Sequence, residues 1–377
     1  MTQVQKIILS ILSIIIIALL GAISYTAYQT YQQFAFQPLG PALPFTPQAL
    51  PPTWTPSSND QLASSGMVTL VPTISFPTAT SSAPICSGPN IMNIVMVGAD
   101  SRADSYLYGL GDAIRLVRVD FVTPKVSVLE FPRDLWVEIP HIEDNLDGQD
   151  HEKLNQAYLY GQPGFGYWDD PSAGPGLLTL TLNLNFGVQA DHYVTVNMRT
   201  FEKVVDAVGG IDINIPDGET AKSTDLPIGE NHLNGPQALK VARNRHDGTF
   251  ARADNQNIVL CALRKKLTDP KVVTQIPELI DSFKDNIITD FTPAQIGQLA
   301  CLGTKLPPQN IVFATFPHEL FSQTRVYDPV FKKRVFIWDV DFGILSDYVD
   351  RFQAGTWPEP RIIVPSTTEE ESEVICE

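Results

Sequence analysis

Ala113-Ile-Arg-Leu-Val-Arg-Val119 and Val126-Ser-Val-Leu-Glu-Phe131 are two apolar-rich runs separated by the turn residues Thr123-Pro-Lys125. β-Branched residues on both sides of a proline turn read as an antiparallel hairpin. Upstream, Asn93-Ile-Val-Met-Val-Gly98 is a short apolar run ended by glycine, a buried strand. Downstream the period changes. Phe201-Glu-Lys-Val-Val-Asp-Ala-Val208 has helical spacing and stops at Gly209-Gly210. Gly235-Pro236 opens a helix through Arg243, and Asn257 to Leu267 forms another, stopped before Pro270. Strands interleaved with helices predict an α/β fold, a layered mixed sheet flanked by helices. Thr292-Pro-Ala-Gln-Ile-Gly-Gln-Leu-Ala300 reads as a capped helix, Ile311 to Phe316 and Val335 to Trp338 as strands, and Phe342 to Phe352 as a closing helix. These complete the same domain.

The flanks are of a different kind. Ile7 to Ser24 is uncharged and rich in Ile and Leu, enough to cross a bilayer as a helix. Lys6 and the amino terminus precede it, and the next charge is Asp60. The excess of positive charge before the span predicts a cytoplasmic N-terminus with everything else outside. A cleaved signal peptide is the competing reading, but no small-x-small site follows directly. Residues 37–84 are rich in Pro, Thr, Ser and Ala without period, as expected of a stiff, disordered spacer. The expected organisation is therefore an anchor (1–36), a linker (37–84), an extracytoplasmic domain (85–365) and an acidic tail (366–377).

The net charge of −16 argues against nucleic acid as a partner. Yet of thirteen arginines, four lie between Arg102 and Arg133 and four between Arg243 and Arg264. Clustering of this sort in an acidic chain suggests a local anion site. Of the four cysteines, none has metal-type spacing, so a zinc site is not expected. An exported domain favours disulfides. The preferred pairing is Cys261–Cys301 with Cys86–Cys376, two other pairings and free thiols remaining open.

Three places carry chemistry. Gly98-Ala-Asp100-Ser-Arg102 exposes a carboxylate and a guanidinium at a strand end. Asp112 precedes the next strand, and Phe131-Pro-Arg133-Asp134 closes the one after. Arg243-Asn-Arg245-His246 is followed by Arg252 and Gln256. Singly, each is an ordinary surface ion pair. Together they suit a diphosphate, which takes planar bidentate donors, and Mg²⁺, which takes one or two carboxylates plus phosphate oxygens. No nucleophile elbow is present.

The succession of these stretches resembles the LytR-CpsA-Psr family of cell-envelope glycopolymer transferases. The match runs from Asn93 to Leu267. It takes in Val97 to Arg102, Gly111 to Ile114, Phe131 to Asp134, Lys153-Leu-Asn-Gln-Ala-Tyr158, Asp191 to Val196, Phe201 to Ile213, His232 to Leu239 and Arg243 to His246. The resemblance implies that Asp100 and Asp112 hold Mg²⁺, and that Arg102, Arg133, Arg243, Arg245 and Arg252 grip a pyrophosphate and stabilise its developing charge. Gln256 stands at the family's glutamine near that head group. It implies a polyprenyl chain in an apolar tunnel between sheet and helices. The partners implied are a polyprenyl-pyrophosphate-linked glycopolymer, a cell-wall acceptor such as peptidoglycan, and membrane lipid. An acceptor hydroxyl would attack the sugar carbon bonded to pyrophosphate and release polyprenyl pyrophosphate. The resemblance also decides Leu178-Thr-Leu-Thr-Leu-Asn-Leu-Asn-Phe186. Its period of two alone argues a strand; the family, with Gly174-Pro175 opening the segment, implies a helix.

This chain departs from the pattern. Ala113 stands where the family has Thr, Thr249 where it has Asp, and Asn255 where it has Arg. A catalytically degenerate lipid-pyrophosphate scaffold is therefore the alternative function; transcriptional regulation fits an outward-facing domain poorly. Arg115 and Arg118 are unusual in a buried strand unless one points into the anion site. Arg243 and Arg245, two residues apart, cannot share a helix face, so the helix is expected to end near Ala242.

Overall fold

A computed structural model of the chain describes residues 3–44, 83–101, 109–143, 148–244, 249–273, 287–359 and 376, without the side chains at 4–14, 249–251, 270 and 273. Helix α1 (Gln3–Phe36) comes first. Among the described residues no helix is long and apolar enough to cross a membrane. Of the expected span Ile7 to Ser24, the side chains of residues 7–14 lie outside that set.

The body alternates strand and helix as expected. Strands β1 (Ile91–Ala99), β2 (Gly111–Asp120) and β3 (Lys125–Phe131) are followed by the short β4 (Trp136–Glu138) and β5 (His151–Lys153). Then come α2 (Leu154–Tyr160), α3 (Ala173–Phe186), β6 (His192–Asn197), α4 (Met198–Ala207) and β7 (Ile211–Ile215). Next are α5 (Gly218–Thr224), β8 (Gly229–Leu233), α6 (Gly235–Ala242), α7 (Thr249–Leu267) and α8 (Pro270–Val273). The last are β9 (Ile287–Thr289), α9 (Pro293–Lys305), β10 (Ile311–Ala314), β11 (Ser322–Asp328), β12 (Lys333–Asp339) and α10 (Phe342–Ala354).

Six strands form one mixed sheet in the order β10-β3-β2-β1-β6-β9. The hairpin of β2 and β3 is antiparallel, β1 runs antiparallel to β2, and β6 lies parallel to β1. The C-terminal third supplies both edges, with β10 parallel to β3 and β9 antiparallel to β6. Side chains alternate across the sheet, so each strand serves two layers. Val95, Val97, Ile114, Leu116, Leu129 and Phe131 pack with α2, α3 and α10. The opposite face meets α7 and α9 through Ile94, Val119, Val128 and Phe313.

The 173–186 segment is helical, as the resemblance implied. Burying alternate threonines in a helix requires partners for their hydroxyls. Thr179 and Thr181 donate to the carbonyls of Pro175 (2.7 Å) and Leu177 (2.8 Å), one turn back. Helix α6 begins with a capping box between Asn234 and Gln237 and ends at Ala242, with Arg243 as its C-cap, where the arginine spacing required an end.

Two findings differ from expectation. The cysteines pair as Cys86–Cys301 and Cys261–Cys376, with Cα atoms 5.8 and 5.1 Å apart. Cys301 on α9 is bonded to Cys86 in the segment before β1, which packs in a cluster with Ile85, Phe121 and Leu302 of α9. Cys261 on α7 faces Leu306, Ile311, Phe313 and the chain end. Loop length favours closure but does not say which flank of a helix a thiol occupies. The opening residues of the expected linker also belong to the domain surface: Leu39 donates its backbone N–H to Phe291 (3.0 Å), and Tyr193 its hydroxyl to the Pro41 carbonyl (2.9 Å). Residues 45–82, and all of the expected acidic tail except Cys376, lie outside the described residues.

Candidate functional site

The site begins with an irregularity in the β1–β2 ladder. Gly98 faces Ala113 and Ala99 faces Gly111, so Asp112 is an extra residue without an opposite number. A bulge of this kind turns its side chain out of the alternation and raises local twist. The strands approach closely here, since a Cβ on Gly98 would lie 3.1 Å from that of Ala113. Asp100, just past β1, pairs its N–H with Leu110 (2.8 Å). Asp100 and Asp112 therefore stand at one end of the same ladder. Among the described residues, the buried Oδ1 of Asp100 has no hydrogen-bond partner.

Arg133 follows β3 and Pro132. Its Nη1 meets Asp112 Oδ1 at 2.6 Å, and its Nε meets Asp134 Oδ2 at 3.3 Å. Lys153 holds the other oxygen of Asp134 at 2.6 Å, and Asn155 donates to Asp112 Oδ1 at 3.4 Å. Burial alone would lower the Arg133 pKa, but Asp112 and Asp134 more than offset this, and its net shift is upward. The guanidinium therefore stays charged.

Arg252 enters from α7. It is 3% exposed, and its Nη2 donates to the Asp112 carbonyl at 3.2 Å. Thus Asp112, Arg133 and Arg252 come together from three elements. Arg243 is exposed at the end of α6; Arg102 and Arg245 lie outside the described residues.

Gln256 is turned towards Arg115, whose Nη2 donates to its Oε1 at 3.1 Å. Arg115, 1% exposed, also reaches Asn257 Oδ1 (2.6 Å) and Glu130 Oε2 (2.7 Å). It therefore ties α7 to the sheet rather than joining Asp112. Arg118 likewise serves structure, pairing with Asp120 at 3.5 Å and donating to the Gln353 carbonyl at 3.0 Å. Lys153, Asn155 and Asn257 also act on these groups without having been singled out from their residue type. The Lys153-Leu-Asn155 signature was the available signal for two of them.

The LytR_cpsA_psr family profile matches residues 76–334. Regulatory protein MsrR of Staphylococcus aureus (strain COL) is 29% identical over 212 residues, covering 55% of this chain and 58% of that protein. A protein of Oceanobacillus iheyensis named polyisoprenyl-teichoic acid–peptidoglycan teichoic acid transferase TagU is 31% identical over 202 residues, 53% of this chain and 58% of the relative. The chain thus spans under two thirds of these relatives. Among solved structures, TagV of B. subtilis has a TM-score of 0.54 at 22% identity, covering 70% of this chain and 98% of that one. The structure of TagT bound to LIIa-WTA gives 0.53 at 18%, covering 73% and 97%. At those identities the likeness establishes the fold.

Proposed function

The chain belongs to the LytR_cpsA_psr family, and from that premise we propose that it is a membrane-anchored transferase. It moves a glycopolymer from a polyprenyl-pyrophosphate carrier to a cell-wall acceptor such as peptidoglycan. The observation that carries this reading is the convergence of Arg133 and Arg252 on the bulged Asp112. Two guanidinium groups fixed by packing neutralise a pyrophosphate without reorganising during reaction. Arg102, Arg243 and Arg245 complete the anion site in this proposal.

Asp100 and Asp112 suit Mg²⁺: both are hard oxygen donors at one strand end, and the orphaned Asp100 Oδ1 calls for a cation. When bound, the ion would draw charge from the pyrophosphate oxygens. The protein's own groups do the remainder. Arg133 and Arg252 hold the pyrophosphate, Lys153 and Asn155 hold Asp134 and Asp112 in place, and Gln256 is kept in its orientation by Arg115. An acceptor hydroxyl forms a bond to the sugar carbon as the carbon–oxygen bond to pyrophosphate breaks. The electron pair leaves with polyprenyl pyrophosphate, and the hydroxyl proton is released. Attack at phosphorus would instead release the polyprenyl monophosphate.

Support for the lipid chain comes from the sheet face towards α7 and α9, where Met96, Ala113, Val117, Val194 and Val196 are only half-buried. An apolar lane beside charged groups is what a prenyl diphosphate requires. Support for the anchor comes from α1, where Ile15, Ile16, Ile17, Leu19, Leu20 and Ile23 are each more than half exposed. The body then lies outside the cell membrane, with the N-terminus in the cytoplasm.

The test is turnover of a synthetic polyprenyl-pyrophosphate oligosaccharide by the full chain in vesicles, with peptidoglycan as acceptor. Arg133→Ala should reduce transfer by roughly 100-fold or more, with Arg133→Lys intermediate. Chromatography of the lipid product separates attack at carbon from attack at phosphorus. Tight lipid binding without turnover in the parent chain would make the scaffold the better account.

A further inference from the structure

The two flanks of the Pro/Thr/Ser-rich segment are both fastened to the body. On the N-terminal side, Ala35 is 5% exposed and α1 touches α9. Leu39 and Pro41 bond to Phe291 and Tyr193 across the β9 edge, and Leu43 packs on the main core. Gly40 passes so near the sheet that a Cβ there would lie 2.5 Å from the Thr289 carbonyl oxygen. On the C-terminal side, Ile85 donates to Phe121 at 2.9 Å, Cys86 is bonded to Cys301 on α9, and Gln298 donates to Ser87 at 2.8 Å. A spacer between membrane and domain has one end on each. This segment has both ends on the domain.

We infer that the body is seated directly on the bilayer surface through Ala35–Leu43, with the β9 edge and α9 next to the lipid headgroups. The inference rests on the anchor reading of α1. The helix continues without a break from the uncharged run to Phe36. The eleven steps from Ser24 to Ala35 rise about 16 Å, of which a headgroup layer occupies about 6 Å. Tyr25, Tyr28 and Tyr31, exposed by 64%, 59% and 62%, fall on that stretch. Tyrosines gather at the level where apolar and aqueous phases meet. The remaining gap is about 10 Å, the thickness of one helix. A lipid-linked substrate would then reach the arginines with its tail still largely in the membrane.

The full chain in nanodiscs of phosphatidylethanolamine and phosphatidylglycerol tests this. An azide-bearing residue at the exposed Lys305 carries a donor dye, and lipid headgroups carry acceptors. A 30-residue Gly/Ser insert at position 60 should leave the donor–bilayer distance unchanged. The same insert after Phe36 should let the body move away by a coil's reach, about 30 Å. Gly40→Val should lengthen and broaden the distance distribution without moving the protein out of the membrane fraction. If the insert at position 60 lengthens the distance, or Gly40→Val leaves it unaltered, the seating is wrong while the anchor stands. Extraction of the parent chain by alkaline carbonate would overturn both.

Discussion

The two faces of the central sheet are built to different specifications. Towards α2, α3 and α10, Val95, Ile114, Leu116 and Leu129 are fully buried. Towards α7 and α9, Ile94, Val128, Ile311 and Phe313 retain 6–7% exposure, and their neighbours Met96, Val117 and Val194 are half-covered. That looser face holds a buried polar knot at Arg115, and its two helices each carry a disulfide. One face therefore stabilises by close packing. The other keeps its helices in place by ion pair and covalent tie, which leaves part of its apolar surface half-covered.

The largest test of that contrast removes the polar knot. Arg115→Met leaves the half-buried Glu130 without its counter-charge and strands the buried Asn257 side chain, and should cost about 3 kcal/mol in urea unfolding. The double variant Arg115→Met/Glu130→Met should recover most of this loss. A small effect of the single change would mean that packing holds both faces.

Next comes a matched pair on one strand. Leu116→Ala on the tight face should cost about 2–5 kcal/mol, while Val117→Ala on the loose face should cost about 1 kcal/mol or less. Val117→Phe sharpens the comparison, because it should fold normally yet weaken binding of a prenyl diphosphate. Equal costs for the two alanine variants, measured in the same denaturant series, would erase the distinction.

The last effect is read in pH and belongs to the tight side's own exception. Glu152 on β5 is fully buried, beside Asp328. Burial first, and then Asp328, push its pKa up to about 8 from 4.5. Tyr160 and Lys153 are the other titratable groups around it. Between those two values the unfolded chain gives up a proton that the folded chain retains. Its contribution to stability is therefore complete below about 4.5 and is lost as pH rises through about 8. Glu152→Gln should unfold like the parent near pH 4 and be the more stable of the two at pH 8, the gap widening across that window. A pH-independent difference in melting would show that the carboxyl does not titrate in that window.

Much of this architecture could be read from residue order, and the parts that could not share a cause. Strand and helix identity rests on local period and capping, so β1 to β3, α4, α6 and α9 were legible from apolar spacing and from pairs such as Asn234 with Gln237. Asp112 was legible as a candidate by resemblance, but its bulge was not, because register belongs to two strands at once. The partners of Arg115 lie 15, 141 and 142 residues away, and nothing in a strand's period names a helix that far downstream. The same holds for the cysteines.

The disulfide pairing bears on how the molecule can breathe. Had Cys261 bonded Cys301, a covalent bar would have joined α7 to α9 across the half-covered strands. Instead each helix is tied outward, α9 to the segment before β1 and α7 to the end of the chain. Oxidation therefore secures two panels to separate frames and leaves the seam between them unsealed. The two helices can thus shift against each other over the half-covered strands without any covalent bond having to open.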